Sequence, residues 1–146
     1  MFDEKGERLA VANTLWTLLD VETGKPVPAS KDMVELYGSG EKMEMEYAPR
    51  KIRIPEGGRC EEPIVVKKHH LDTNHHVNNG QYVDIAMAFL PEDFVIGQLR
   101  AEYKKQAFLD DTFYPYVVEE ESKCVVKLAD ADGNTYVSVE FLRKEE

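Results

Sequence analysis

One short stretch with a helical period, followed by runs of apolar and polar residues in alternation, leaves this chain few folds to choose from. Tyr82, Ile85, Ala86 and Phe89 stand at the i, i+3, i+4, i+7 spacing of a single buried stripe, so Asn79 to Leu90 is predicted as a helix closed by Pro91. Leu99, Ala101 and Tyr103 then alternate with Arg100, Glu102 and Lys104, the pattern of a half-buried strand. Thr112 to Glu120 reads as a strand interrupted by Pro115, and Cys124, Val126 and Leu128 alternate with Lys123 and Lys127. Asp130 to Asn134 is a hairpin turn, and Thr135, Val137, Val139 and Phe141 form the last strand. A strand at Pro63 to His70 precedes them. The class this order predicts is α+β, one long helix packed on a curved antiparallel sheet.

The first sixty residues are sparser. Arg8 to Asp20 reads as a strand, apolar on both faces around Leu15 to Leu18 and covered on at least one side. Glu22 to Lys25 turns the chain, and Pro26 and Pro28 end the strand pattern. Ser30 caps a short helix, Lys31 to Tyr37, that stops at Gly38. Residues 38–58, rich in Gly and Pro, are predicted as a linker with a boundary near Gly57-Gly58. The expected divisions are therefore 1–37, 38–58 and 59–146.

With 18 Lys and Arg against 28 Asp and Glu, the formal charge is -10. Nucleic-acid binding needs a basic footprint, and the basic residues here form only short clusters such as Arg50-Lys51-Arg53, Lys67-Lys68 and Lys104-Lys105. No apolar run approaches the roughly 20 residues of a membrane span. The acidic N-terminus lacks a signal-peptide pattern, and two cysteines make no disulfide scaffold, so a reduced, cytoplasmic setting is expected.

The chemistry is concentrated in His69 to Asn79, where the chain leaves a strand and enters the helix. A helix N-terminus supplies unpaired N–H groups and partial positive charge, which suits a developing oxyanion. If the loop is extended, Asp72, Asn74 and His76 point the same way into one pocket. A plain capping loop, with Asn78 as the cap, reads the same residues without chemistry. A metal site is the third reading of the four histidines. His69-His70 and His75-His76 are adjacent pairs, however, so at most two converge easily where a catalytic zinc usually takes three protein ligands. No metal and no cofactor are expected.

Leu71-Asp72-Thr73-Asn74-His75-His76-Val77-Asn78-Asn79, with Tyr82, closely resembles the L-D-x-N-x-H-V-N-N-x-x-Y signature of the acyl-acyl-carrier-protein thioesterases. Leu15 to Asp20 with Thr23 to Pro26 resembles the closing strand of that family's first hotdog unit. Glu102-Tyr103-Lys104-Lys105-Gln106-Ala107 resembles the strand after the central helix of its second. The resemblance implies a hotdog fold, with residues 59–146 a second unit, 1–37 the end of a truncated first one, and the chain a fragment. It implies hydrolysis of fatty acyl thioesters on acyl carrier protein, with acyl-coenzyme A hydrolysis or an inactive binding module as alternatives.

Carried over residue by residue, the resemblance makes Asp72, Asn74 and His76 the catalytic residues. His76 is the base that activates water, Asn74 holds the water or the carbonyl, and Asp72 supports the imidazolium. Backbone N–H groups from Asn78 to Gly80 face the oxyanion, and Gln106, Asn78 and Asn79 support the site or position water. The plant members carry a catalytic Glu followed by Cys where this chain has Gln106-Ala107, which removes both a carboxylate base and a thiol nucleophile. Lys67, Lys68, Lys104 and Lys105 are the expected contacts for an acidic carrier protein. A homodimer, or pairing with a first hotdog unit, would cover the exposed sheet edge.

Overall fold

The computed structural model describes residues 1–38 and 40–145. The chain divides into two compact units, Met1–Ala48 and Pro49 onward.

In the first unit, β1 (Leu18–Leu19) pairs antiparallel with β2 (Pro26–Val27) across a turn closed by the Asp20 carboxylate, which accepts from the Glu22 and Thr23 N–H groups and the Thr23 hydroxyl. The helix α1 (Lys31–Tyr37) forms where predicted. The Ser30 Oγ accepts from the Met33 N–H, and Gly38, at φ 68°, ends it. The strand expected over Arg8 to Asp20 shrinks to two residues, and Leu15 and Trp16 are exposed rather than covered. A strand needs a partner for its N–H and C=O groups, and the turn after Asp20 supplies a partner only two residues long. Pro26, expected to end the pattern, takes part in β2, which is compatible with an edge position.

The second unit holds β3 (Arg59–Cys60), β4 (Ile64–Val65), α2 (Asn79–Met87), β5 (Ile96–Tyr103), β6 (Thr112–Glu119), β7 (Lys123–Ala129) and β8 (Thr135–Arg143). The strands lie in the order β3-β6-β7-β8-β5, all neighbours antiparallel, with β4 also paired to β6. The helix α2 buries Tyr82 and Ala86 in one cluster with Phe113, Val126, Leu128, Val137, Val139 and Phe141. Each large apolar side chain buried there contributes about 1.5–3 kcal/mol relative to exposure.

Three predicted boundaries move. The helix ends at Met87, and Phe89 and Leu90 close tighter turns onto Ala86 and Met87, because Pro91 disfavours helical geometry in the residue before it. The strand read from Pro63 to His70 is confined to Ile64–Val65; beyond it the Val66 backbone bonds Asp110 and Asp111, and Lys68–His70 coil into a 3₁₀ turn. The predicted linker is not all linker. Pro49 to Gly58 straps the face of the sheet opposite α2, with Ile52 buried, its N–H donating to Glu102 and the Arg100 guanidinium donating to the Pro49 carbonyl. Coverage of both faces explains why Val125 and Ser138 are as buried as their neighbours Val126 and Val139, where simple alternation predicts exposure.

Candidate active site

The segment joining the 3₁₀ turn to α2 is a tight reversal. Leu71 and Val77 form an antiparallel bridge, the Asp72 N–H donates to the His76 carbonyl at 3.0 Å, and the His75 N–H donates to the Asp72 carbonyl at 3.1 Å. His75 sits at φ 64°, the left-handed conformation that lets the chain double back. The condition of an extended loop is therefore not met, and a turn performs the gathering instead.

That turn brings two of the three predicted catalytic side chains together. The Asp72 Oδ2 lies 3.5 Å from the His76 Nδ1, and each side chain is about a quarter exposed. The other Asp72 oxygen accepts the Asn74 N–H at 2.8 Å, the side-chain-to-backbone closure common for Asp two residues ahead of its donor. Fixed at one oxygen, the carboxylate keeps the second for the imidazole. Asn74 is exposed at the turn tip, and its side chain has no hydrogen bond among the described residues.

The turn is anchored to the segment after β5. The Val77 N–H donates to the Ala107 carbonyl at 2.8 Å, and His76 bridges Phe108, whose ring meets the imidazole edge-on at 6.5 Å. The Ala107 N–H in turn donates to the Tyr82 hydroxyl at 2.9 Å. Burial pushes the Tyr82 phenol above its ordinary pKa, so it stays neutral and available as an acceptor. Tyr82 was legible in the sequence as a core residue of the helix stripe. Two sequence features tied it to the site as well: its hydroxyl is the one polar tip among the four stripe residues, and it closes the signature that begins at Leu71.

Asn78 is the helix cap, its Oδ1 accepting the Gly80 N–H at 2.8 Å, while its own N–H donates to the His70 carbonyl. Two of the three N–H groups expected to face an oxyanion are thus engaged. The Asn79 N–H alone has no hydrogen bond among the described residues, and its carbonyl accepts the Tyr103 hydroxyl. Gln106 is exposed beside Ala107.

The lysines divide into two pairs. Lys105 is bonded to Asp130 at 2.8 Å and Lys104 lies 3.7 Å from Glu102, whereas Lys67 and Lys68 carry no ion pair among the described residues. No cluster of three or more metal-ligating side chains occurs among the described residues. The surface depression lined by Asp93, Glu119, Glu120, Glu121 and Arg143 includes none of the predicted site residues.

The family model for the acyl-ACP thioesterase C-terminal domain matches residues 56–141. The chain belongs to that family. Among solved structures, it is similar to an acyl-ACP thioesterase from Bacteroides thetaiotaomicron, at 18% identity and a TM-score of 0.74, covering 86% of this chain and 53% of that one. It is similar to a putative oleoyl thioesterase from Lactobacillus plantarum, at 20% identity and a TM-score of 0.72, covering 99% and 60%. It is also similar to the 12:0-ACP thioesterase from Umbellularia californica, at 15% identity and a TM-score of 0.66, covering 88% and 52%. The chain thus spans little more than half the length of these proteins, and at such identities the likeness shows the fold. The mixed architecture, a large antiparallel sheet with two helices, fits a hotdog-like fold. No curated protein matches the chain.

Proposed function

We propose that the chain hydrolyses fatty acyl thioesters carried on acyl carrier protein, releasing the free fatty acid, with residues 59–146 as a hotdog unit. The observation that carries this reading is the Asp72–His76 pair, held where the turn enters α2 in a member of the acyl-ACP thioesterase family.

The chemistry follows from the groups present. His76 takes a proton from water, and the hydroxide adds to the thioester carbonyl. The Asp72 carboxylate beside Nδ1 stabilises the imidazolium that forms. The free Asn79 N–H, at the positive end of α2, donates to the oxyanion. Collapse breaks the carbon–sulfur bond, and the imidazolium returns its proton to the departing thiolate. Asn74 and Gln106 align the water or the carbonyl. No covalent acyl-enzyme is needed, since Ala107 offers no nucleophile. Lys67 and Lys68, without an ion pair among the described residues, are the contacts for an acidic carrier protein, in preference to Lys104 and Lys105. The apolar, part-exposed Leu99 and Tyr103 lie on β5 at the sheet edge, where a second hotdog unit would pair.

Hydrolysis of acyl carrier protein thioesters across chain lengths, beside the same acyl groups on coenzyme A, tests the reading. His76→Ala lowers kcat by at least about a hundredfold, while Gln106→Glu keeps or raises it. Undiminished turnover in His76→Ala removes the mechanism.

A further inference from the structure

The 3₁₀ turn that precedes the Asp72–His76 reversal is closed by a side chain the mechanism does not use. The His70 Nδ1 accepts the Lys67 N–H at 3.0 Å, and the His70 N–H donates to the Lys67 carbonyl at 2.9 Å. One residue thus satisfies both backbone groups of Lys67. The His70 carbonyl accepts the Asn78 N–H at 2.9 Å, the residue that caps α2. His70 therefore clamps both ends of the segment carrying Asp72, Asn74 and His76: the entry through its ring and the exit through its carbonyl.

We propose that His70 in its neutral form is a positioning residue, holding the Asp72–His76 turn in register with the start of α2. This rests on the proposed hydrolysis only for what the positioning is for. An imidazole accepts a hydrogen bond at Nδ1 only while that nitrogen is unprotonated. Protonation turns the acceptor into a second donor facing the Lys67 N–H, so the ring leaves and the entry clamp opens.

The surroundings act in the same direction. Partial burial, then the nearby His69 ring and the Lys67 ammonium, hold the His70 imidazole below its ordinary pKa. The carboxylates of the adjoining segments are engaged elsewhere. Asp72 faces His76 and Asn74, Asp111 accepts the Phe108 N–H, and Asp84 on α2 accepts from Gln81. Asp110 reaches this region through its backbone bond to Val66. His75 completes the set of titratable groups in the reversal.

Two variants separate the ring's acceptor from its charge. His70→Asn keeps an acceptor oxygen near the Nδ1 position and does not titrate, whereas His70→Ala removes the acceptor. Amide exchange at Lys67 and Asn78, corrected for the intrinsic base-catalysed rate, and the ring resonances of His76 are followed by NMR from pH 5 to 8 in the full chain. In the parent, Lys67 protection falls roughly five- to tenfold as His70 protonates, and the His76 resonances move at the same midpoint. His70→Asn keeps protection flat across that range. His70→Ala lacks it throughout, with His76 shifted even at pH 8. Lys67 protection that ignores both pH and His70→Ala, or His76 resonances unmoved in His70→Ala, overturns the proposal. Neither readout requires turnover, so a chain inactive on every thioester defeats the proposed function while these signals still decide the role of His70.

Discussion

Replacing Tyr82 by Phe tests the link between the core and the site with one oxygen atom. The Tyr82 hydroxyl accepts the Ala107 N–H at 2.9 Å, and the two residues are only 2% and 0% exposed, so water cannot take the hydroxyl's place. The ring packing against Phe113 and Tyr103 is unchanged by the substitution. What is lost is the acceptor, leaving a buried N–H unpaired at a cost of about 1–3 kcal/mol, reduced somewhat by the more apolar ring. A net loss of about 1–2 kcal/mol, with a urea dependence of about 1–3 kcal/mol per M, lowers the unfolding midpoint by roughly 0.3–2 M at constant slope. The probe must be the circular dichroism of the sheet, because the single tryptophan, Trp16, lies exposed in the other unit and does not report on this core. Because the Ala107 carbonyl holds the Val77 N–H beside His76, kcat for thioester cleavage falls along with stability. A Tyr82→Phe chain that unfolds at the parent's midpoint refutes the claim that this hydroxyl holds the segment after β5.

Two more perturbations probe the frame around the site. Asp130 is held down to about 2, first by the Lys105 side chain and then by Asn134. Its folded pKa lies below its unfolded one, so its contribution is present above about pH 4 and is lost as pH falls toward 2. Asp130→Asn should flatten that part of the stability–pH curve, read as urea midpoints at each pH, and an unchanged acid limb would contradict the assignment. Gly58→Ala places a Cβ 2.6 Å from the Val117 carbonyl oxygen and 2.7 Å from Tyr116 and Val118 atoms, in the strap against the sheet. The backbone oxygen cannot move aside cheaply, so a loss of about 1–3 kcal/mol in chemical unfolding is expected. Parent-like stability would mean the strap is not seated there.

Much of the second unit is legible in its sequence. The start of α2, its Asn78 cap and its buried Tyr82 and Ala86 follow from local spacing, as do β6, β7, the hairpin at Asp130 and β8 beyond it. The Ser30-to-Gly38 helix was equally legible, because capping chemistry acts over three or four residues. The N-terminal strand was not. The Leu, Val, Thr and Trp residues between Leu9 and Leu19 state a preference for extension, and only a partner strand turns that into a ladder. Alternation gathers Asp72 with His76 only on condition that the loop is extended; an Asx-closed turn with His75 left-handed brings them together instead.

By its residue order alone, this chain determined the chemistry available: a carboxylate, amides and imidazoles placed immediately ahead of a capped helix, with neither thiol nor carboxylate at 106–107. Tertiary structure decided which of those groups remain free to act. Packing of α2 on the sheet engages the Tyr82 hydroxyl with Ala107, and the approach of residues 105–108 takes up the Val77 N–H. The fold also engages the Asn78 N–H with the His70 carbonyl, and with Gly80 held by the local cap the Asn79 N–H has no partner among the described residues. The physical reason is range. Periodicity and capping are settled between neighbours along the chain, whereas a hydrogen bond between residues 25 or 30 positions apart exists only after the sheet has brought the two segments together.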